Sequence, residues 1–177
     1  NSSASKNANY IAIKGGTVGE THGDLDAGTF VLDSIGERWV MDLGSDSYTL
    51  DGYFDWSKRI NYYRKRAEGH STLVLNPDGG ADQKLGGKTV ISEMAASNYG
   101  SCAVVDLTNA YIDDAKSVKR ASLLFDNRNK FMIQDEVVSE KPTDVYWFMQ
   151  TKANVETDEN GATLIQDGKK LRLDFVS

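Results

Sequence analysis

The 177-residue sequence is short of the residues that usually announce chemistry or staple a small fold: one cysteine, two histidines and two prolines. A single cysteine, Cys102, forms no internal disulfide, so the redox compartment is not legible from bridges. It lies in the apolar run CAVVDL, where a buried, inert thiol is expected in preference to a nucleophile. No apolar run has the length of a membrane-spanning helix, and 16 glycines with 2 prolines exclude collagen-like and mucin-like classes. Positive charge is also lacking overall. A formal net charge of −6 argues against general binding to nucleic acid or an anionic membrane.

Helical periodicity is nearly absent, whereas short runs of alternating and β-branched residues recur along the chain. The polar opening NSSASKNAN (1–9) reads as a linker-like segment, and the lack of a starting methionine or signal peptide suggests a piece of something longer. Residues 10–177 suit one domain with a substantial core. Strands are expected at Tyr10–Gly16, Gly28–Ile35, Arg38–Gly44 and Ser71 onward, the last ended by an Asn-Pro-Asp-Gly turn. Further strands are expected at Thr89–Ser97, Ser101–Thr108, Ser117–Asp126, Lys130–Ser139, Asp144–Thr151 and in a terminal hairpin around Asp167-Gly168. The apolar runs SLLFD and KFMIQDEVV read as central strands covered on both faces. Trp147 and Phe148 are expected to fill core. One short helical segment is expected over Asp55–Lys65. The pattern indicates an all-β antiparallel sandwich of roughly ten to twelve strands.

Two constellations could carry chemistry. The first is His22-Gly23-Asp24-Leu25-Asp26 followed by Asp42, with the second histidine, His70, in a similar polar loop. Histidine nitrogen and carboxylate oxygen together are the usual ligand set for zinc and related cations. On spacing alone, Asp24 and Asp26 better suit turn capping, accepting backbone N–H bonds. The second constellation, residues 53–66, interleaves Tyr53, Phe54, Trp56, Tyr62 and Tyr63 with Lys58, Arg59, Arg64, Lys65 and Arg66 against one acid, Asp55. Aromatic faces stack on sugar rings and guanidinium forks pair with carboxylate or sulfate, which makes an acidic polysaccharide a better candidate than DNA. A solvated cationic loop anchored by its aromatics fits the composition as well.

Taken together, IKGGTVGETHGDLDAGTFVLDSIGERWVMDLGSDSY, YYRKRAEGHSTLVLNP and, more loosely, LLFDNRNKFMIQDEVV and DVYWFMQT resemble the heparinase II/III-like polysaccharide lyases. That family is marked by a histidine-bearing loop running into a Gly-Ser/Thr-Phe strand, an aspartate ending the next strand, and a His-Asn-Thr-Leu/Val loop. The resemblance implies the C-terminal β-sandwich domain of a lyase that cleaves uronic-acid polysaccharides by β-elimination. By the same resemblance His22 matches the active-site histidine facing the cleft. Asp24, Asp42 and His70 match the positions of a structural divalent metal, usually zinc, and Tyr62, Tyr63 and Arg64 would lie near the sugar. Two departures stand out: many relatives have histidine at the position of Asp24, and most have asparagine at that of Ser71. The implied partners are an acidic polysaccharide and an N-terminal α/α toroid of the same gene product, with a homodimer allowed and no nucleic acid or membrane. A periplasmic or secreted bacterial location follows from where such substrates are found. Two rival readings are a noncatalytic acidic-glycan-binding sandwich and a sandwich that only supports a neighbouring domain.

Overall fold

The computed structural model describes residues 7–77 and 80–176. The first six residues of the linker-like opening, and Asp78 and Gly79 of the expected Asn-Pro-Asp-Gly turn, lie outside the described residues. With strands labelled in chain order, one sheet pairs β1 (Tyr10–Ile13) with β3 (Phe30–Ser34) and β3 with β4 (Glu37–Val40). A five-stranded sheet runs β2 (Gly16–Thr17), β6 (Lys88–Ala96), β7 (Ser101–Asp106), β8 (Ser117–Phe125) and β9 (Lys130–Val138), in that order. β5 (Leu73–Leu75) pairs with β10 (Val145–Trp147). A meander of β11 (Asn154–Asp158), β12 (Gly161–Gln166) and β13 (Lys169–Asp174) completes the set. Every strand pair among the described residues is antiparallel. The expected all-β sandwich is what the chain forms.

Its core is two apolar clusters that share Ile13 and Trp147. One gathers Leu25, Leu73, Leu75, Val105, Leu107, Tyr111 and Val118. The other gathers Phe30, Leu32, Trp39, Val40 and Leu164, with Phe131 and Ile133 against it. Trp147 and Phe148 pack on this core as expected. Alternation decides which side chains enter it: on β8, Val118, Arg120, Ser122 and Leu124 are buried while Lys119 and Phe125 are exposed. β9 alternates in the same way and lies at the end of its sheet, so it is covered on one face only and is not the central strand that KFMIQDEVV suggested. β11 was not anticipated, because all five of its residues are exposed and no apolar alternation marks it.

The hairpin joining β3 and β4 turns at Ile35-Gly36, one residue earlier than its composition suggested, with φ of 48° and 84°. Two successive left-handed residues make the primed turn whose twist matches the flanking strands. The expected helix over Asp55–Lys65 is one turn, α1 (Trp56–Arg59), capped by Asp55, which accepts the backbone N–H of Ser57, followed by 3-10 turns at Tyr63–Lys65 and Ala67–Gly69. Arg59 and Lys65 both point inward here. Six residues apart they would face away from each other on a continuous α-helix, so the helix breaks between them.

The sheets are fastened to the loops between them by one buried cation. Arg120, fully buried on β8, forms a bidentate pair with Asp135 of β9 at 2.6 and 2.9 Å. Its remaining terminal nitrogen donates to the carbonyls of Gly28 and Ser71 at 2.9 and 3.0 Å. Gly28 (φ 79°) leaves no room for a side chain, since a Cβ would sit 2.7 Å from Leu107. A second buried network adds to this: Thr72 donates to the Ala27 carbonyl, and Gln83 bridges Ala27 to Tyr111.

Arg120→Met strands a half-buried carboxylate and two carbonyls, and is expected to lower the unfolding free energy by roughly 3–5 kcal/mol in urea titration, with Arg120→Lys recovering little of it. A loss below about 1 kcal/mol would show that the loops hold without this contact. At the β3–β4 turn, Ile35→Asn replaces a β-branched residue in left-handed backbone and is expected to stabilise by about 1 kcal/mol. An unchanged or lowered melting temperature would contradict that assignment.

Candidate functional site

His22 stands at the tip of a tight turn. The N–H of Gly23 donates to Glu20 O at 2.6 Å and that of Gly19 to Asp24 O at 3.3 Å. His22 itself has φ 65°, a left-handed conformation uncommon outside glycine, and its side chain is exposed, edge-on to the ring of Phe54 with centroids 6.4 Å apart. Strained backbone at an exposed histidine is the kind of outlier that marks functional positions.

Below His22 a cavity of about 160 Å³ opens. Its floor holds the half-buried Asp24 with the buried Arg59, Lys65 and Tyr53. The exposed rim carries His22, Phe54 and Tyr48 together with Asp42, Gly44 and Ser45. Asp24 is bound on both oxygens. Lys65 Nζ lies 2.8 and 3.0 Å from Oδ1 and Oδ2, and Arg59 Nη2 lies 2.8 Å from Oδ1 while also donating to the Gly23 carbonyl. Both cations are buried and lie against the Tyr53 ring at 5.1–5.2 Å, with Arg59 also over Trp56 at 4.7 Å. Burial alone would depress the Lys65 ammonium, but its bonds to Asp24 and Tyr53 outweigh that and hold its pKa above the ordinary value.

His70, also buried, closes the site from behind. Its Nδ1 is 3.0 Å from Asp42 Oδ2, and its Nε2 lies 3.9 Å from Asp24 Oδ2 with no hydrogen-bond partner. The His70 bond is the main influence holding the Asp42 carboxyl down at about 2; burial opposes it and the Gly44 N–H assists. Asp24, Asp42 and His70 therefore meet, as expected, but not as a ligand set. The two aspartates address opposite nitrogens of one imidazole, and a single ion with bonds of about 2 Å cannot take all three. Nε2 and a carboxylate already shared by two cations leave two donors, where a closed structural zinc site uses four. Among the described residues no group of three histidine, cysteine or acidic side chains converges on a point. The residues present do not fit the expected zinc.

Tyr62, Tyr63 and Arg64 lie outside the cavity lining. The Tyr62 hydroxyl donates to the Asp51 carbonyl, the exposed Tyr63 hydroxyl accepts from Gln150, and Arg64 donates to the Leu43 carbonyl. The basic character of residues 58–66 is mostly consumed inside the protein. Lys58 pairs with Asp51, Arg59 and Lys65 with Asp24, and Arg66 with Asp82. The rings that do face the cavity mouth are Phe54 and Tyr48, 5.6 Å apart between centroids. Tyr48, in the polar run GSDSYT, went unnoticed because nothing around it alternates. Ser71, where the family usually has asparagine, is fully buried: its N–H donates to Thr29 and its hydroxyl accepts from the N–H of Gln150.

Comparison with known proteins places this geometry. The C-terminal domain model of the heparinase II/III-like family matches residues 3–176. Among solved structures, heparan sulfate lyase HepC from Pedobacter heparinus is 22% identical, with a TM-score of 0.73 over 93% of this chain and 25% of its own. A heparinase III, the BT4657 gene product, is also 22% identical, with a TM-score of 0.77 over 96% of this chain and 25% of its own. At these identities the likeness speaks for the fold alone. No curated protein sequence matches. The chain spans about a quarter of the length of these solved structures. With the family model covering nearly every residue, the chain belongs to the heparinase II/III-like C-terminal domain family.

Proposed function

We propose that this chain is the sandwich part of a secreted or periplasmic bacterial polysaccharide lyase, forming one wall of a cleft that cleaves an acidic, uronate-containing polysaccharide by β-elimination. The observation that carries the proposal is His22, exposed and backbone-strained at a cavity mouth beside two exposed rings, in a chain of this family. The cavity, at about 160 Å³, is below the roughly 300–1,000 Å³ of a self-sufficient ligand pocket. That is the size expected of a half-site completed by another domain, for which the family's α/α toroid is the candidate.

In the reaction a base takes the C5 proton of the uronate, and the electron pair becomes the C4=C5 double bond. The C4–O bond breaks and the departing oxygen takes a proton. The uronate carboxylate must be neutralised for C5–H to be acidic enough. His22 is a group at the exposed rim that can move a proton near neutral pH, and its position beside Phe54 favours a sugar ring lying across both. Tyr48 and Phe54 supply the stacking ledge. Asp24, Arg59 and Lys65, already bonded to one another, set the shape of the floor and take no step in the chemistry. The exposed ledge alone would serve a noncatalytic glycan-binding module equally well, and product formation separates the two readings.

In the full-length gene product, His22→Ala is expected to lower the release of unsaturated uronates, followed by ultraviolet absorbance, by roughly 10²–10⁴-fold. Unchanged turnover would remove His22 from the mechanism. Tyr48→Ala and Phe54→Ala are each expected to raise KM about five- to tenfold with kcat little altered. If KM stays the same in both variants, the ledge is not where sugar binds.

A further inference from the structure

Asp24 stands where many relatives carry a metal-binding histidine, and in this chain that position is surrounded by cations of the protein's own making. We infer that the Lys65 ammonium, backed by the Arg59 guanidinium, takes the place that the family pattern leaves for a divalent ion, so that protein cations and no metal tie the site loops together.

The geometry gives Lys65 the bonds a bridging cation needs. Its Nζ reaches both oxygens of Asp24, at 2.8 and 3.0 Å, from a side chain only 3% exposed. Its backbone carbonyl accepts the N–H of Leu25 at 3.1 Å, so the same residue grips the His22 loop at two points. Arg59 adds a third hold, donating to Asp24 and to the carbonyl of Gly23. His70 completes the enclosure from the other side and is itself fixed by Asp42. The loop at 22–26 and the segment at 59–65 are thereby joined to each other, and the His70 loop is joined to the Asp42 strand end, two ties among the elements a structural metal would join.

Charge balance argues the same way. Two buried cations face Asp24, so the one carboxylate on the cavity floor is already more than matched in charge. A divalent ion would enter a desolvated space beside two fixed positive charges and would have to displace Lys65 from the carboxylate it needs. A neutral histidine at position 24 would suit a metal. An aspartate locked between lysine and arginine suits an ion-pair cluster.

The test is metal content and melting of the protein purified without a metal-affinity step. Elemental analysis is expected to find zinc and calcium far below one equivalent, and excess EDTA or added zinc to move the melting temperature by less than about 1 °C. An ion held at a hundred times its dissociation constant would shift a domain of this size by roughly 5–10 °C. About one equivalent of metal, removed by chelator with a fall of that size, would overturn the inference. Lys65→Met is expected to lower the melting temperature by about 5 °C or more, and an unchanged value would overturn it too. Should that variant not fold, the metal and chelator measurements on the unaltered protein still decide. None of these readouts depends on catalysis, so they stand or fall separately from the lyase reading.

Discussion

The arrangement of this domain depends on a guanidinium that has no water to turn to. Arg120 is fully buried, and an isolated charge at that depth would cost several kcal/mol. Asp135 and two backbone carbonyls offset that cost together, and none of the three would suffice alone. The consequence reaches beyond stability. Gly28 follows the loop that carries His22 and Asp24, and Ser71 follows His70, so one side chain on the five-stranded sheet sets the relative position of both halves of the site. Leaving either carbonyl unbonded in that interior would itself be unfavourable, which gives the contact its specificity for one arrangement of the loops.

Electrostatics in the segment 58–66 reads differently once its partners are known. Five cations in nine residues look like a surface for polyanions, yet four of them pair with Asp24, Asp51 or Asp82 and Arg64 is bonded to a backbone carbonyl. The segment works inward, pinning loops, and offers solvent far less positive charge than its composition suggests. Recognition of an acidic glycan on this wall would then rest on ring faces and on His22, with carboxylate neutralisation falling to the opposite wall. That division agrees with a site assembled from two domains.

Much of the fold was legible because an antiparallel sandwich writes its inner face in every second residue. β3, β8 and β13 show this plainly. β11 did not, because an outward strand with no buried residue leaves no alternating signal. The meeting of Asp24, Asp42 and His70 was implied by the family resemblance, but which atoms pair was not. Spacing says nothing about which ring nitrogen faces which carboxylate, or that Lys65 would arrive first. Arg120 was readable in principle: it occupies the inner register of Val118-x-Arg120-x-Ser122-x-Leu124, and a cation on an apolar face implies a buried partner.

His22 shows why such heavy fastening is needed. Left-handed backbone at a non-glycine residue costs about 1–3 kcal/mol and relaxes unless its flanks are overdetermined. On one side the turn bonds at Gly19 and Gly23 close the loop. On the other, Asp24 is held by two cations, Leu25 by the Lys65 carbonyl and Gly28 by Arg120. The strain is thus sustained by buried contacts that never touch the cavity mouth, while the imidazole stays exposed with only the edge of Phe54 against it. In the lyase proposed above, a group that must meet a substrate held partly by another domain would gain from such an arrangement. Its position would be fixed in advance of substrate, leaving little ordering to be done on binding.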